Sequence, residues 1–188
     1  MAVVDRPAAA GLTLVSGPSR SGKSRWAEHL VARAGRPVLY IATGALAGDD
    51  QAWQQRLELH RSRRPGQWAT WEVQGELEAA LGRASSDQQL LIDSLGTWLA
   101  HFLDLDAEAW ERRQQGLLKA LLNCPAPQVL VTEEVGWGVV PATAIGGRFR
   151  DRLGALQQRL QPLAQASWLV VQGRALDLRA LSLPVPEL

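Results

Sequence analysis

The chain has 188 residues, 46% of them apolar and 21% charged, with a formal net charge of +1. That balance fits one globular domain, residues 1–188, and excludes a general electrostatic pull toward nucleic acid or an anionic membrane. The lone Cys124 excludes an internal disulfide framework, no run reaches the ~18 apolar residues of a membrane span, and the opening MAVVDRPAAAG is too broken for a signal peptide; a cytoplasmic location is expected, with residues 1–10 loose.

In chain order, Leu12–Ser16 reads as a buried strand and Lys23–Ala34 as a helix with apolar spacing at Trp26, Leu30 and Ala34. Val38–Ala42 is a second buried strand, and 50–64 a polar, basic helix stopped by Pro65. Trp68–Val73 reads as a strand, Glu76–Ala84 as a helix, and Leu90–Ile92 as a strand ending in Asp93. Helices follow over 96–104 and 107–122, then a strand at Val129–Thr132 and a Gly-rich loop over 134–147. Arg148–Ala164 is an amphipathic helix that Pro162 can end early; Trp168–Gln172 is a strand, and Ala175–Arg179 an edge. Alternating strands and helices predict an α/β fold: a mostly parallel sheet with helices on both faces.

The informative turn is Gly17-Pro18-Ser19-Arg20-Ser21-Gly22-Lys23-Ser24, which fits G-x-x-x-x-G-K-[ST] between a predicted strand and a predicted helix. Glycines let backbone N–H groups converge on an anion, and the helix N-terminus adds a favourable dipole. Lys23 would reach the β- and γ-phosphates of a nucleoside triphosphate, and the Ser24 hydroxyl would ligate Mg2+. Such a loop calls for an acidic residue at the end of a neighbouring strand. Asp93 is given that place, either for the metal or as a helix cap, with Glu133 and Glu134 as weaker candidates. The eight tryptophans, beside one Tyr and two Phe, read as core filling or as the lining of a site for a large flat ligand.

RLELHRSRRP, residues 56–65, places His60 before Arg61, Arg63 and Arg64. A solvated basic face is one reading. The other is a neutral imidazole among guanidinium groups that hold a polyphosphate, since nearby cations favour the nucleophilic form and histidine can carry a phosphoryl or nucleotidyl group. His29 and His101, on other helices, are poorer candidates.

Taken together, GPSRSGKS at 17–24, LYIAT at 39–43, RLELHRSRRPGQW at 56–68, LLIDSLGTWL at 90–99, EEVGWGVVP at 133–141 and GRFRDRLGALQQRL at 147–160 carry a likeness. In order and spacing they resemble the bifunctional adenosylcobinamide kinase/adenosylcobinamide-phosphate guanylyltransferase family of cobalamin biosynthesis. The likeness runs from about residue 12 to about residue 179. It implies a P-loop NTPase fold of RecA type, a homotrimer and a corrinoid substrate. It implies two reactions: phosphorylation of adenosylcobinamide by ATP or GTP, then GMP transfer from GTP through a guanylylated histidine, here His60. It also implies nucleotide contacts on the phosphate loop, on Thr43, Gly44 and Ala45, on Arg61, Ser62, Arg63 and Arg64, on Glu72 and on Asp93. Glu133 and Gln157 stand where the family usually has Asn, and DDQAWQQRL differs from its usual pattern before the histidine. Three other readings stay open: a different small-molecule P-loop kinase, a transferase-only enzyme, or a RecA-type nucleotide switch.

Overall fold

The computed structural model describes residues 11–44, 55, 58, 61–62, 64–139 and 141–186. His60, Arg63, Ala45, residues 1–10 and most of the expected 50–64 helix lie outside them; of that helix, Gln55, Glu58, Arg61 and Ser62 are described and helical.

Seven strands form one sheet: β1 (Leu12–Gly17), β2 (Val38–Ala42), β3 (Ala69–Glu72), β4 (Gln89–Asp93), β5 (Gln128–Glu133), β6 (Ala164–Val171) and β7 (Arg174–Asp177), in the order β3-β2-β4-β5-β1-β6-β7. All neighbours are parallel except the β6–β7 hairpin. The central strands read as unbroken apolar runs because both faces are covered. Leu39, Ile41, Leu90, Ile92 and Leu130 point into one core; Val15, Val38, Tyr40, Leu91, Val129 and Val131 point into the other. On the second face lies α1 (Lys23–Ala32), through Ala27, Leu30 and Val31. The first face is covered by α2 (Leu77–Gly82), α3 (Leu95–Ala100), α4 (Ala107–Asn123) and α5 (Ala144–Leu160). A short α6 (Leu178–Leu181) follows the hairpin. This is the expected mostly parallel α/β sheet with helices on both faces. Among the described residues no helix is long and apolar enough to cross a membrane.

Several boundaries differ from the sequence reading, each for a local reason. The loop expected over 134–147 ends earlier, because Thr143 accepts the Gly146 N–H at 3.2 Å and caps a helix that starts at Ala144. That helix stops at Leu160, where Pro162 enforces a 3-10 turn over Gln161–Leu163. The helix expected over 96–104 ends at Ala100: Arg152 donates to the Phe102 carbonyl at 2.8 Å and Arg148 to the Leu103 carbonyl at 2.8 Å, so side chains of α5 replace a further helical turn.

Candidate active site

β1 sits near the middle of the sheet and delivers Gly17 to its carboxyl edge. A Cβ at Gly17 would stand 2.3 Å from the Val170 carbonyl oxygen and 2.7 Å from Ser21 Oγ, so only glycine lets the chain turn here. Gly22, at φ 100, occupies the left-handed region just before α1. It brings no capping side chain, and the first turn of α1 holds no acidic residue. Ser21 Oγ accepts the Lys23 N–H at 3.3 Å, and no acidic side chain of the first turn offsets the positive dipole end of the helix. Lys23 is 6% exposed and folds over the loop, its Nζ 3.4 Å from the Pro18 carbonyl oxygen. Gly173 N–H donates to the Ser21 carbonyl at 3.0 Å, and Glu134 N–H to the Gly17 carbonyl at 3.0 Å. The loop is thus tied on both flanks. Ser19 and Arg20 lie exposed on its outer side and Ser24 is half-buried.

The acidic residues are arranged differently from the sequence expectation. The strand beside β1 on this side is β5, whose Glu133 pairs in register with Gly17; Asp93 lies one strand further, at the end of β4. Glu133 accepts from Ser94 Oγ and from the Gly96 N–H, the latter at 2.9 Å. Burial raises its pKa above the ordinary carboxyl value; the Ser94 hydrogen bond opposes that, the Asp93 charge adds to it, and the Lys23 ammonium lowers it. Glu133 therefore feels both partners of the predicted phosphate and metal machinery. Burial also raises Glu134, against a hydrogen bond from Ser16. Asp93 is not the cap of α3. Ser94 is: its Oγ accepts from Thr97 N–H at 3.3 Å, while Thr97 Oγ1 accepts from Ser94 N–H at 3.1 Å. Asp93 Oδ2 instead accepts from the Tyr40 hydroxyl at 2.9 Å. A serine hydroxyl at Ser24 and a carboxylate at Asp93 are hard oxygen donors of the kind Mg2+ takes.

A second group of predicted residues lies along β2 and β3. Thr43 is fully buried and its hydroxyl is engaged within the fold: it donates to the Ser94 carbonyl at 2.6 Å, accepts from Ser94 N–H at 2.9 Å and lies 2.7 Å from Thr97 Oγ1. Gly44 follows, half-buried. Arg61 and Glu72, both named from the sequence, form an exposed ion pair. Ser62 is exposed. Arg64 lies with its guanidinium carbon 3.6 Å from the centre of the Tyr40 ring. The sequence reading missed Tyr40, Ser94 and Thr97; the signal for the first was that it is the chain's one tyrosine, set in an otherwise aliphatic strand. The two other histidines are accounted for elsewhere. His29 stacks on Trp26 with ring centroids 5.3 Å apart, and His101 Nε2 lies 3.0 Å from the Thr43 carbonyl oxygen.

Most described tryptophans fill the core. Trp98 and Trp110 are buried, and Trp26, Trp68, Trp71 and Trp168 pack against it. Trp137, 60% exposed, stands out in the loop that follows Glu134.

Known proteins agree with the motifs. Residues 13–178 match the family described as cobinamide kinase / cobinamide phosphate guanyltransferase. The chain is 37% identical to the bifunctional adenosylcobalamin biosynthesis protein CobU of Salmonella typhimurium, over 86% of this chain and 96% of that protein. It is 38% identical to the bifunctional adenosylcobalamin biosynthesis protein CobP of Pseudomonas aeruginosa, over 88% of this chain and 96% of that protein. A solved Pyrococcus horikoshii structure shares the fold, with a TM-score of 0.56 and 5% identity over 92% of this chain and 87% of that one. With its phosphate loop between β1 and α1 and this match over nearly its whole length, the chain is a transferase belonging to the cobinamide kinase / cobinamide phosphate guanyltransferase family.

Proposed function

We propose that this chain catalyses both reactions named for its family, as one domain spanning residues 1–188. The observation that carries the proposal is the juxtaposition at the carboxyl edge of the sheet. A helix start without first-turn acid lies beside the folded-back Lys23, and Lys23 and Asp93 both act on Glu133.

In the kinase step the aminopropanol hydroxyl of adenosylcobinamide attacks the γ-phosphorus of ATP or GTP. The bond from that phosphorus to the β-phosphate oxygen breaks, the nucleoside diphosphate leaves, and the hydroxyl proton is lost to solvent or a basic group. Residues 17–24 bind the phosphates through backbone N–H groups, and Lys23 offsets charge on the β- and γ-oxygens. Ser24 and Asp93 would hold Mg2+, which would supply further charge neutralisation. In the transferase step an imidazole nitrogen of His60 attacks the α-phosphorus of GTP and pyrophosphate leaves. The substrate's phosphate oxygen then attacks the guanylyl phosphorus, the P–N bond breaks, and His60 is released. Arg61, Arg63 and Arg64 hold phosphate oxygens, and Gly44, Ala45, Ser62 and Glu72 contribute nucleotide contacts; Thr43, whose hydroxyl, N–H and carbonyl are engaged with Ser94, Asp93 and His101, fixes the end of β2 from which Gly44 follows. Trp137 offers an exposed ring to the corrinoid. A homotrimer acting in the cytoplasm completes the reading.

The test is covalent labelling with Mg2+ and GTP carrying label at the α-phosphorus. The expected result is label that survives denaturation, is stable to alkali, is lost in acid, and is absent from His60→Ala. Label retained in His60→Ala would move the nucleophile elsewhere. No label in any form of the chain would reduce it to the kinase.

A further inference from the structure

Two segments that the proposed function assigns to different half-reactions meet on one side chain. Tyr40 is 2% exposed, in the middle of β2, between β3 and β4 in the sheet. Its hydroxyl donates to Asp93 Oδ2 at 2.9 Å. Its ring carries the Arg64 guanidinium at 3.6 Å, and Arg64 Nε is buried without a hydrogen-bond partner, so the ring face is a main support of that side chain. Arg64 N–H in turn donates to the Arg61 carbonyl at 3.1 Å, which ties the anchored residue to the turn that directly follows His60. A buried tyrosine on a strand paired on both sides has few alternative rotamers, so both contacts are held in fixed geometry.

We infer that Tyr40 is a positioning residue for both half-reactions, aiming the Asp93 carboxylate through its hydroxyl and seating Arg64, with the chain that follows His60, through its ring. The inference rests on the roles proposed above for Asp93 and His60. The two contacts are separable by chemistry. Phenylalanine keeps the ring and deletes the hydroxyl; leucine deletes both.

The experiment compares the full-length wild type, Tyr40→Phe and Tyr40→Leu in two assays. One is phosphoryl transfer from ATP to adenosylcobinamide across a Mg2+ titration. The other is the rate of labelling from α-labelled GTP at saturating Mg2+ and GTP. For Tyr40→Phe the Mg2+ needed for half-maximal rate should rise about tenfold, as when a partner orienting a metal ligand is lost, while the labelling rate holds. Tyr40→Leu should show the same Mg2+ shift and, in addition, labelling slowed about tenfold, the loss of a cation–π contact of ordinary strength. A wild-type Mg2+ titration in Tyr40→Phe, or wild-type labelling in Tyr40→Leu, would overturn the corresponding half. If melting curves show that Tyr40→Leu does not fold, Arg64→Gln decides the ring half. Seating predicts a lower labelling rate at saturating GTP, and a rise only in the GTP needed for half-saturation overturns it. Wild-type chain that takes no label at all refutes the guanylyl-histidine reading instead, and the Mg2+ arm still tests the hydroxyl.

Discussion

The phosphate loop and the arginine segment are both assigned to the nucleotide, yet they are built in opposite ways. The loop lies near the middle of the sheet and presents backbone: the Val170 carbonyl leaves no room for a side chain at Gly17, Lys23 is buried, and hydrogen bonds from Glu134 and Gly173 hold both flanks. The arginine segment lies toward the β3 edge and presents long side chains, with Arg61 and Glu72 exposed and Arg64 set down on Tyr40. Backbone groups are fixed by the fold before any ligand arrives, so their ordering cost is already met during folding. The exposed side chains of Arg61 and Glu72 must be ordered when the ligand binds, although Arg64 is already seated on Tyr40. The contrast predicts that damage to the loop removes all chemistry, whereas damage to the outer segment is graded.

Lys23→Ala is the sharpest way to break that contrast. In the proposed function the Lys23 ammonium offsets charge on the β- and γ-phosphates, and removing a preorganised charge of this kind costs on the order of 100- to 1000-fold in rate. Both the phosphoryl transfer and the labelling rate should fall together in Lys23→Ala, with the melting temperature little changed. A variant that loses one activity and keeps the other would mean that the two reactions use separate phosphate sites.

The asymmetry also governs what the sequence could tell. The loop is a local pattern flanked by a strand and a helix, and buried parallel strands read as apolar runs; Val38–Ala42 has the same limits in sequence and structure. The start of α5 was lost because Gly146 and Gly147 obscure a helix that Thr143 caps. Strand order is not a local property. Asp93 was expected on a strand next to β1, and β5 intervenes, so that Glu133 takes the adjacent place. The link from Asp93 through Tyr40 to Arg64 joins positions far apart in the chain, and no spacing encodes it. Nor could composition assign the tryptophans; six of the seven described ones pack in or against the core, and burial alone singles out Trp137.

Glu133→Gln sharpens the contrast from the stability side, with a moderate effect. The glutamate's pKa in the fold is raised above its ordinary 4.5, so the ionised form is disfavoured there. Between the two values the native state binds more protons than the unfolded chain, and stability falls as pH rises through that window. Glutamine can still accept from Gly96 N–H and can donate to Ser94 Oγ, without carrying charge. The variant should therefore melt above wild type at pH 8, with the difference shrinking toward pH 4. A pH-independent gap would show that packing, and not the carboxylate's charge, is what changed.

The smallest effect is expected at the outer edge. The Arg61–Glu72 pair is exposed on both sides, with side-chain exposures of 53% and 36%. Exposed pairs of this kind give little net stability, because water competes for both charges and two long side chains lose rotamer freedom. Arg61→Ala should change unfolding stability by no more than about 0.5 kcal/mol in a denaturant titration, and added salt should shrink that difference further by screening the pair. A loss of several times that size would mean that the arginine segment is built into the fold as firmly as the phosphate loop. The graded behaviour expected of the outer segment would then have no structural basis, since a segment rigid without ligand would be as preorganised as the loop it is contrasted with.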